Sequence, residues 1–224
     1  SRTIPFVSKT TNTPLAKIAA QIAGGAKLNN FKLKDWRHYE HIAVKEAVLP
    51  FNKFPEESIF LSPEMKSTGE VMGISKTMGE SFLRASISAG NNLPKNGKVF
   101  ISVNDGDKKA IIPIAKKLDR FGFSIVATSG TSSLLNLNGV STDKIYKVGE
   151  GRPNVVDGIK NGEINLVINT PLGAQSRFDE EAIGKACIKK GILAITTLSG
   201  ANAALDAVSH KDDFSVRSIQ DYHL

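Results

Sequence analysis

Phe123-Ser124-Ile125-Val126-Ala127-Thr128-Ser129-Gly130-Thr131-Ser132-Ser133-Leu134-Leu135 contains a change of conformation. Its first five residues read as a buried strand and its last four as the opening of a helix. Between them lie two threonines, a serine and a glycine. A strand that feeds a helix through such a turn is the repeating unit of an α/β fold. The turn also has a chemistry. Two hydroxyls, a glycine and the free N–H groups of a helix N-terminus make a seat for a phosphate. That points to a phosphorylated small molecule rather than to a metal or a nucleic acid.

The same rhythm continues on both sides. Val99-Phe100-Ile101-Ser102-Val103 reads as a strand, and 107–120 as a helix with Ala110, Ile111, Ile114, Ala115 and Leu118 at helical spacing. Further strands are expected at 144–148, 166–170 and 193–197. Helices are expected at 177–190, with acids early and lysines late to suit the dipole, and at 201–208. Five strands alternating with helices predict a parallel sheet covered on both faces, joined by right-handed crossovers. Ligands on such sheets bind at the carboxyl ends of the strands. The polar strand ends Ser102, Thr128, Lys147, Asn169 and Thr196 are therefore expected along one rim.

A polar stretch with Pro and Gly, Asn91 to Gly97, separates this half from a less regular one. There, 14–26 reads as a helix with Pro at its start, 42–49 as a strand and 75–88 as a helix. Residues 52–55 and 63–73 read as loops. So few elements bury only a modest core, which suggests the tail of a larger domain. The expected division is 1–94 and 95–224. The chain opens Ser1-Arg2-Thr3 without an initiator Met, as though cut from something longer.

The 224 residues carry 41% hydrophobic and 23% charged side chains, ordinary for a globular protein. No apolar run approaches the roughly 20 residues that span a bilayer, and no secretory pattern opens the chain. The net charge of +7 is dispersed and not interleaved with aromatics, which total 7%. That argues against a nucleic-acid groove. The single cysteine, Cys187, forms no internal disulfide and reads as a small buried hydrophobe, suiting a reducing cytoplasm.

A phosphate monoester needs cations beside its N–H donors. Lys108 follows the first strand of the second half, and Lys147 is expected to end the third. The alternative is that both lysines are solvated and the threonines merely cap a helix. Glu150-Gly151-Arg152-Pro153 leads toward a helix with Pro at a plausible first position; a pocket wall and an ordinary turn explain it equally well. Asn169 suits either a sugar or base contact or simple turn chemistry. His38, His41, His210 and His223 lack metal-ligand spacing and read as surface or interface residues. Glu46 sits inside an apolar strand, and alternation alone turns it to solvent; facing inward it would need a partner.

Three stretches carry a resemblance: Ser1 to Lys9, Val48-Leu49-Pro50-Phe51-Asn52-Lys53-Phe54, and Pro63-Glu64-Met65-Lys66-Ser67-Thr68-Gly69-Glu70-Val71-Met72-Gly73. With them the chain resembles the C-terminal portion of carbamoyl-phosphate synthetase large subunits. Its second half resembles their methylglyoxal-synthase-like domain, and its first half the end of their second ATP-grasp synthetase half. The resemblance implies a parent ligase that makes carbamoyl phosphate from bicarbonate, glutamine-derived ammonia and two ATP, for pyrimidine and arginine biosynthesis. It implies ATP and Mg or Mn, with K, in the parent, but no cofactor and no metal site in this chain. The family's metal-binding Glu and Asn come before the Ser-Arg-Thr motif. Arg2 matches an arginine of the phosphoryl-acceptor site, and without its neighbours the chain is expected to be inert.

The resemblance further implies regulation by UMP and IMP at one overlapping site. Matched by motif, the phosphate ligands fall on Lys108, Thr128 and Thr131, with Ser102, Lys147 and Asn169 elsewhere in the pocket. Ornithine would bind where the two halves meet, at Glu46 and Thr196 with Leu61 nearby. This favours an ammonium partner for Glu46, though the other ornithine carboxylates fall outside the chain, so binding there is expected to be poor. Pro171 stands where the family has a second pocket threonine. Implied partners are the rest of the large subunit, the glutaminase small subunit and a second large subunit contacted through the allosteric domain.

Two other functions compete. A methylglyoxal-synthase-like lyase would share the sheet and phosphate seat but needs carboxylate bases. Where it would place aspartates the chain has Thr170 and Asn202, neither a useful base. A pure assembly module is the third.

Overall fold

A computed structural model describes residues 3–49, 67–171, 177–211 and 215–223. The second half is an α/β unit. Strands β3 (Gly97–Val103), β4 (Phe123–Ala127), β5 (Thr142–Lys144), β6 (Leu166–Thr170) and β7 (Leu193–Ile195) form one parallel sheet in the order β5-β4-β3-β6-β7. The earliest strand of the five is central. The chain builds outward on one side of it, then crosses to the other, so a switch point lies beside the end of β3.

Strand alternation assigns the two faces. Val99, Ile101 and Val103 of β3, with Ile125, Leu166 and Ile168, pack against α4 (Lys108–Arg120), α5 (Ser129–Leu137) and α8 (Leu198–Val208). Phe100, Val126 and Val167 point the other way, onto α6 (Val155–Lys160) and α7 (Arg177–Lys190). These strands are buried on both sides, as a parallel sheet requires. Helix α4 presents Ile111, Ile114, Ala115 and Leu118 as one buried stripe.

The first half is a smaller sheet with helices. Strands β1 (Ile42–Val48) and β2 (Gly69–Ser75) pair antiparallel, Val44 opposite Gly73 and Glu46 opposite Val71. Helix α3 (Met78–Ser88) lies on the Gly73 face. A Cβ on Gly73 would come 1.9 Å from the Ser81 carbonyl oxygen, so only glycine permits this approach. On the opposite face, α1 (Thr3–Thr11) is joined to β1 by Lys45 Nζ donating to Thr3 Oγ1 at 3.1 Å. Helix α2 (Leu15–Ala23) follows it.

Several expectations change. Residues 69–75 form a strand, not a loop; its two glycines hide the pattern, one of them serving the close contact with α3. The helix expected from 75 begins at Met78, where the Thr77 hydroxyl accepts from Glu80 N–H as a cap. Residues 3–11 are helical although no helix is expected there. The third strand is 142–144, so Lys147 lies beyond it in a loop. Ile145 and Val148 still pack on the α6–α7 layer, and Ile145 N–H donates to the Ala127 carbonyl at 3.1 Å. Pro153 is not the first helical residue: Asn154 caps α6 in a reciprocal box with Asp157, and the Arg152–Pro153 bond is cis.

Glu46 faces α3, not solvent. Its carboxylate accepts from Ser86 Oγ at 3.0 Å and from Asn91 Nδ2. The inward reading therefore holds, with protein donors as the partners. Arg2 and Leu61 lie outside the described residues.

Candidate functional site

Period two places the first polar ring of the site. Ser102, Thr128 and Asn169 each stand two residues beyond a buried apolar residue of the α6–α7 face: Phe100, Val126 and Val167. They leave the core where the strands end, on the same side of the sheet. Ser102 and Asn169 are register partners on adjacent strands, and the Thr128 hydroxyl lies 3.4 Å from that of Ser102. Together with Lys108, Thr131 and Lys147 they line a cleft of about 610 Å³. The structure thus brings all six sequence-selected positions onto one cavity, with Pro171 at its edge. Thr196 is exposed at the end of β7 and makes no hydrogen bond to Glu46.

One wall is the start of α5. Thr128 holds the cap position in extended conformation but makes no side-chain cap bond. Its hydroxyl turns to Ser102 instead, so the first-turn amides are left without a capping oxygen. The threonines here do not simply cap a helix. Lys108 completes this corner: its Nζ is 3.4 Å from where a Cβ on Gly130 would stand, so glycine lets the ammonium lie over the helix start. Amides, the positive helix end and an ammonium converge on one spot, an arrangement suited to a phosphate oxygen.

Residues that sequence reasoning passed over also line the cleft. Asp105 pairs with Lys108 at 2.6 Å, and the hydrogen bond and charge of that lysine hold its carboxyl below the usual range. Asn104 donates to the Thr170 carbonyl and hydroxyl and accepts from Asp107 N–H, tying the loop after β3 to the end of β6. Asn104 follows the end of β3 directly, the same signal that marks Ser102; Asp105 opens the turn after it. Across the cleft, Asp179 of α7 lies near Lys147 and Glu150. Burial pushes its carboxyl up; Lys147 opposes this and Glu150 adds to it. Glu150 Oε2 accepts from Lys147 N–H at 3.2 Å, and of the 150–153 stretch Glu150 lines the cleft. No strand-end signal could have found Asp179, which enters from a helix start.

Carboxylates are therefore present at the cleft, at Asp105, Glu150 and Asp179, although not at the two positions where they were sought. Thr170 lines the cavity and Asn202 does not. The apolar floor is Phe100, Val155 and Ile183, flat enough in chemistry for a ring to rest on. Among the described residues, no group of three or more His, Cys, Asp or Glu side chains could hold a metal ion, and no helix is long and apolar enough to cross a membrane. Cys187 is buried on the sheet-facing side of α7, and burial pushes its thiol up to about 12.

Comparison with known proteins bears on the family of the chain. The model of the MGS-like domain matches residues 110–196, which hold most of the cleft. Carbamoyl phosphate synthase large chains match throughout. That of Acidobacterium capsulatum is 48% identical over 100% of this chain and 21% of its own length. That of Pasteurella multocida is 48% identical with the same coverage, and that of Methanobrevibacter smithii 48% identical over 99% of this chain and 21% of its own. The chain spans about a fifth of the length of these curated relatives. Among solved structures, that of ForH superposes with a TM-score of 0.40 at 18% identity, over 57% of this chain and 87% of that one. On sequence identity along its whole length, the chain belongs to the carbamoyl phosphate synthase large-chain family and carries that family's MGS-like domain.

Proposed function

We propose that the chain is the effector-binding portion of a carbamoyl phosphate synthase large chain, together with the end of the synthetase half that precedes it. The parent would be an ATP-dependent ligase using bicarbonate, glutamine-derived ammonia, ATP and a divalent metal, with active sites almost wholly outside these residues and the division near 94/95. The observation that carries this reading is the uncapped start of α5, with Lys108 lying over Gly130. In this reading the α5 amides, Lys108, Thr128 and Thr131 take the phosphate of UMP or IMP. Asn169 and Ser102 contact the sugar, Lys147 the far side, and the base rests on the apolar floor. Pro171, which lacks a hydroxyl, weakens recognition at the sugar or base.

Glu46 and Thr196 are the remnant of an ornithine site. Glu46 already accepts two hydrogen bonds, so an ornithine ammonium would have to share or displace them, and binding by this chain alone is weak. Calorimetric titration with UMP and IMP tests the nucleotide reading. Saturable heat with the intact protein, lost in Lys108→Ala and Thr131→Ala, supports it; binding undiminished in both variants refutes it.

A second reading has one observation in its favour. Asp179 has a raised carboxyl pKa inside a phosphate-suited cleft, the property of a general base. A methylglyoxal-synthase-like lyase would convert dihydroxyacetone phosphate to methylglyoxal. Robust turnover that Asp179→Asn abolishes would establish it over the regulatory reading.

A further inference from the structure

Helix α1 buries none of its residues, so no core holds it. Besides the Lys45–Thr3 bond at its start, polar contacts hold its C-terminal end. Asn12 adopts φ 49°, the left-handed conformation that stops a helix, and Thr13 N–H returns to the Ser8 carbonyl at 3.0 Å. That closure leaves the carbonyls of Lys9, Thr10 and Thr11 pointing out of the helix. Each is taken by an aromatic side chain from elsewhere. His223 Nε2 meets Lys9 O at 2.8 Å, His41 Nε2 meets Thr10 O at 2.8 Å, and the Tyr39 hydroxyl donates to Thr11 O at 2.9 Å. A carbonyl only accepts, so both imidazoles carry hydrogen on Nε2.

The three rings also pack on one another. His41 lies 5.3 Å from Tyr39 and 5.5 Å from His223, ring centre to ring centre. Tyr222 adds an edge contact to His41 at 6.0 Å. One of these caps comes from the far end of the chain. Residues 215–223 follow α8 of the α/β unit in sequence; Arg84 of α3, the helix that packs on both the small sheet and α8, donates to the Ser215 carbonyl, and the segment ends on α1, which lies on the other face of the small sheet. Arg217 stacks over Tyr222 at 5.2 Å and stiffens the segment.

We propose that residues 215–223 are a strap tying the α/β unit to helix α1, with the paired imidazoles of His41 and His223 as its catch. Helix α1 runs from Thr3. A shift of α3 or α8 therefore reaches the start of the chain through the strap as well as through the small sheet. The part of this inference that concerns effectors rests on the regulatory reading above; the strap itself does not.

Hydrogen exchange on the intact protein, without nucleotide, tests the strap. In His223→Ala, amides of residues 3–11 should exchange at least about tenfold faster while β3 and β4 are unchanged. His223→Gln, which keeps a donor of similar reach, should restore most of the protection. Wild-type exchange in α1 of His223→Ala overturns the strap. UMP then tests the coupling. It should slow exchange at α5 in both proteins and alter α1 more in the wild type than in His223→Ala. An equal response of α1 in His223→Ala overturns the coupling. No protection of α5 in the wild type overturns the regulatory reading while the strap stands on the nucleotide-free result.

Discussion

Helix α4 buries Ile111, Ile114, Ala115 and Leu118, whereas α1 and α2 bury nothing. The two halves of the molecule are held by different means. The parallel sheet has apolar layers on both faces, one of which Leu83 of α3 joins. The small sheet has one helix pressed close on one side and, on the other, contacts that are mostly polar: Lys45 to Thr3, Thr10 to Met72, and the aromatic caps of α1. Exposed Ile4, Ile22, Leu28 and Leu33 all belong to this half. A unit held by packed layers beside one held largely by polar contacts should differ in local opening, the second exchanging faster.

The contrast can be broken by substitution. Leu118→Ala opens a cavity in the α4 layer and should destabilise by about 2–5 kcal/mol, read by denaturant unfolding. Ile22→Ala, of similar size but on an exposed helix face, should stay within about 0.5 kcal/mol. Equal losses would mean that both halves share one core. Gly73→Ala drives a methyl into the α3 backbone and should destabilise by about 1–3 kcal/mol or more. Because α3 touches both halves, that loss should appear in the whole unfolding transition; confinement to residues 42–88 in hydrogen exchange would show two independent units.

Charge sharpens the contrast with smaller effects. Burial pushes the Glu80 carboxyl up, but the hydroxyl of Ser75, the guanidinium of Arg84 and the charge of His210 outweigh it and hold the carboxyl below 4.5. A depressed folded value stabilises above the unfolded one and is lost as pH falls through the folded one. Thermal stability should therefore drop below about pH 4.5, and less steeply in Glu80→Gln. Asp179 has the opposite sign: its folded value lies above 3.8, so its contribution worsens as pH rises through that window. Asp179→Asn should raise Tm slightly at neutral pH. A fall in Tm would mean that the carboxylate has partners that outweigh its burial.

The sequence made the parallel sheet and its rim legible because buried strands advertise themselves as apolar runs and their ends as the first polar residues. Phe100 followed by Ser102, and Val126 followed by Thr128, are that signal in its simplest form. The small sheet was harder. Gly69 and Gly73 look like loop residues, and the reason for Gly73 is a carbonyl on α3 that no local pattern displays. Glu46 reads as solvent-facing because its donors, Ser86 and Asn91, are at least forty residues away. Lys147 was placed in the cleft for a partly mistaken reason, since the strand it was to end stops at Lys144. Asp179 and Asp105 went unnoticed because their roles arise from proximity to lysines on other elements or the next turn.

In the proposed reading a nucleotide's phosphate sits on the open start of α5. Backbone amide NMR of the intact protein titrated with UMP decides this. Large, saturable downfield shifts are expected for the amides of Ser129, Gly130 and Thr131, lost in Lys108→Ala. Binding that leaves those three amides unmoved, with shifts concentrated elsewhere, would contradict it.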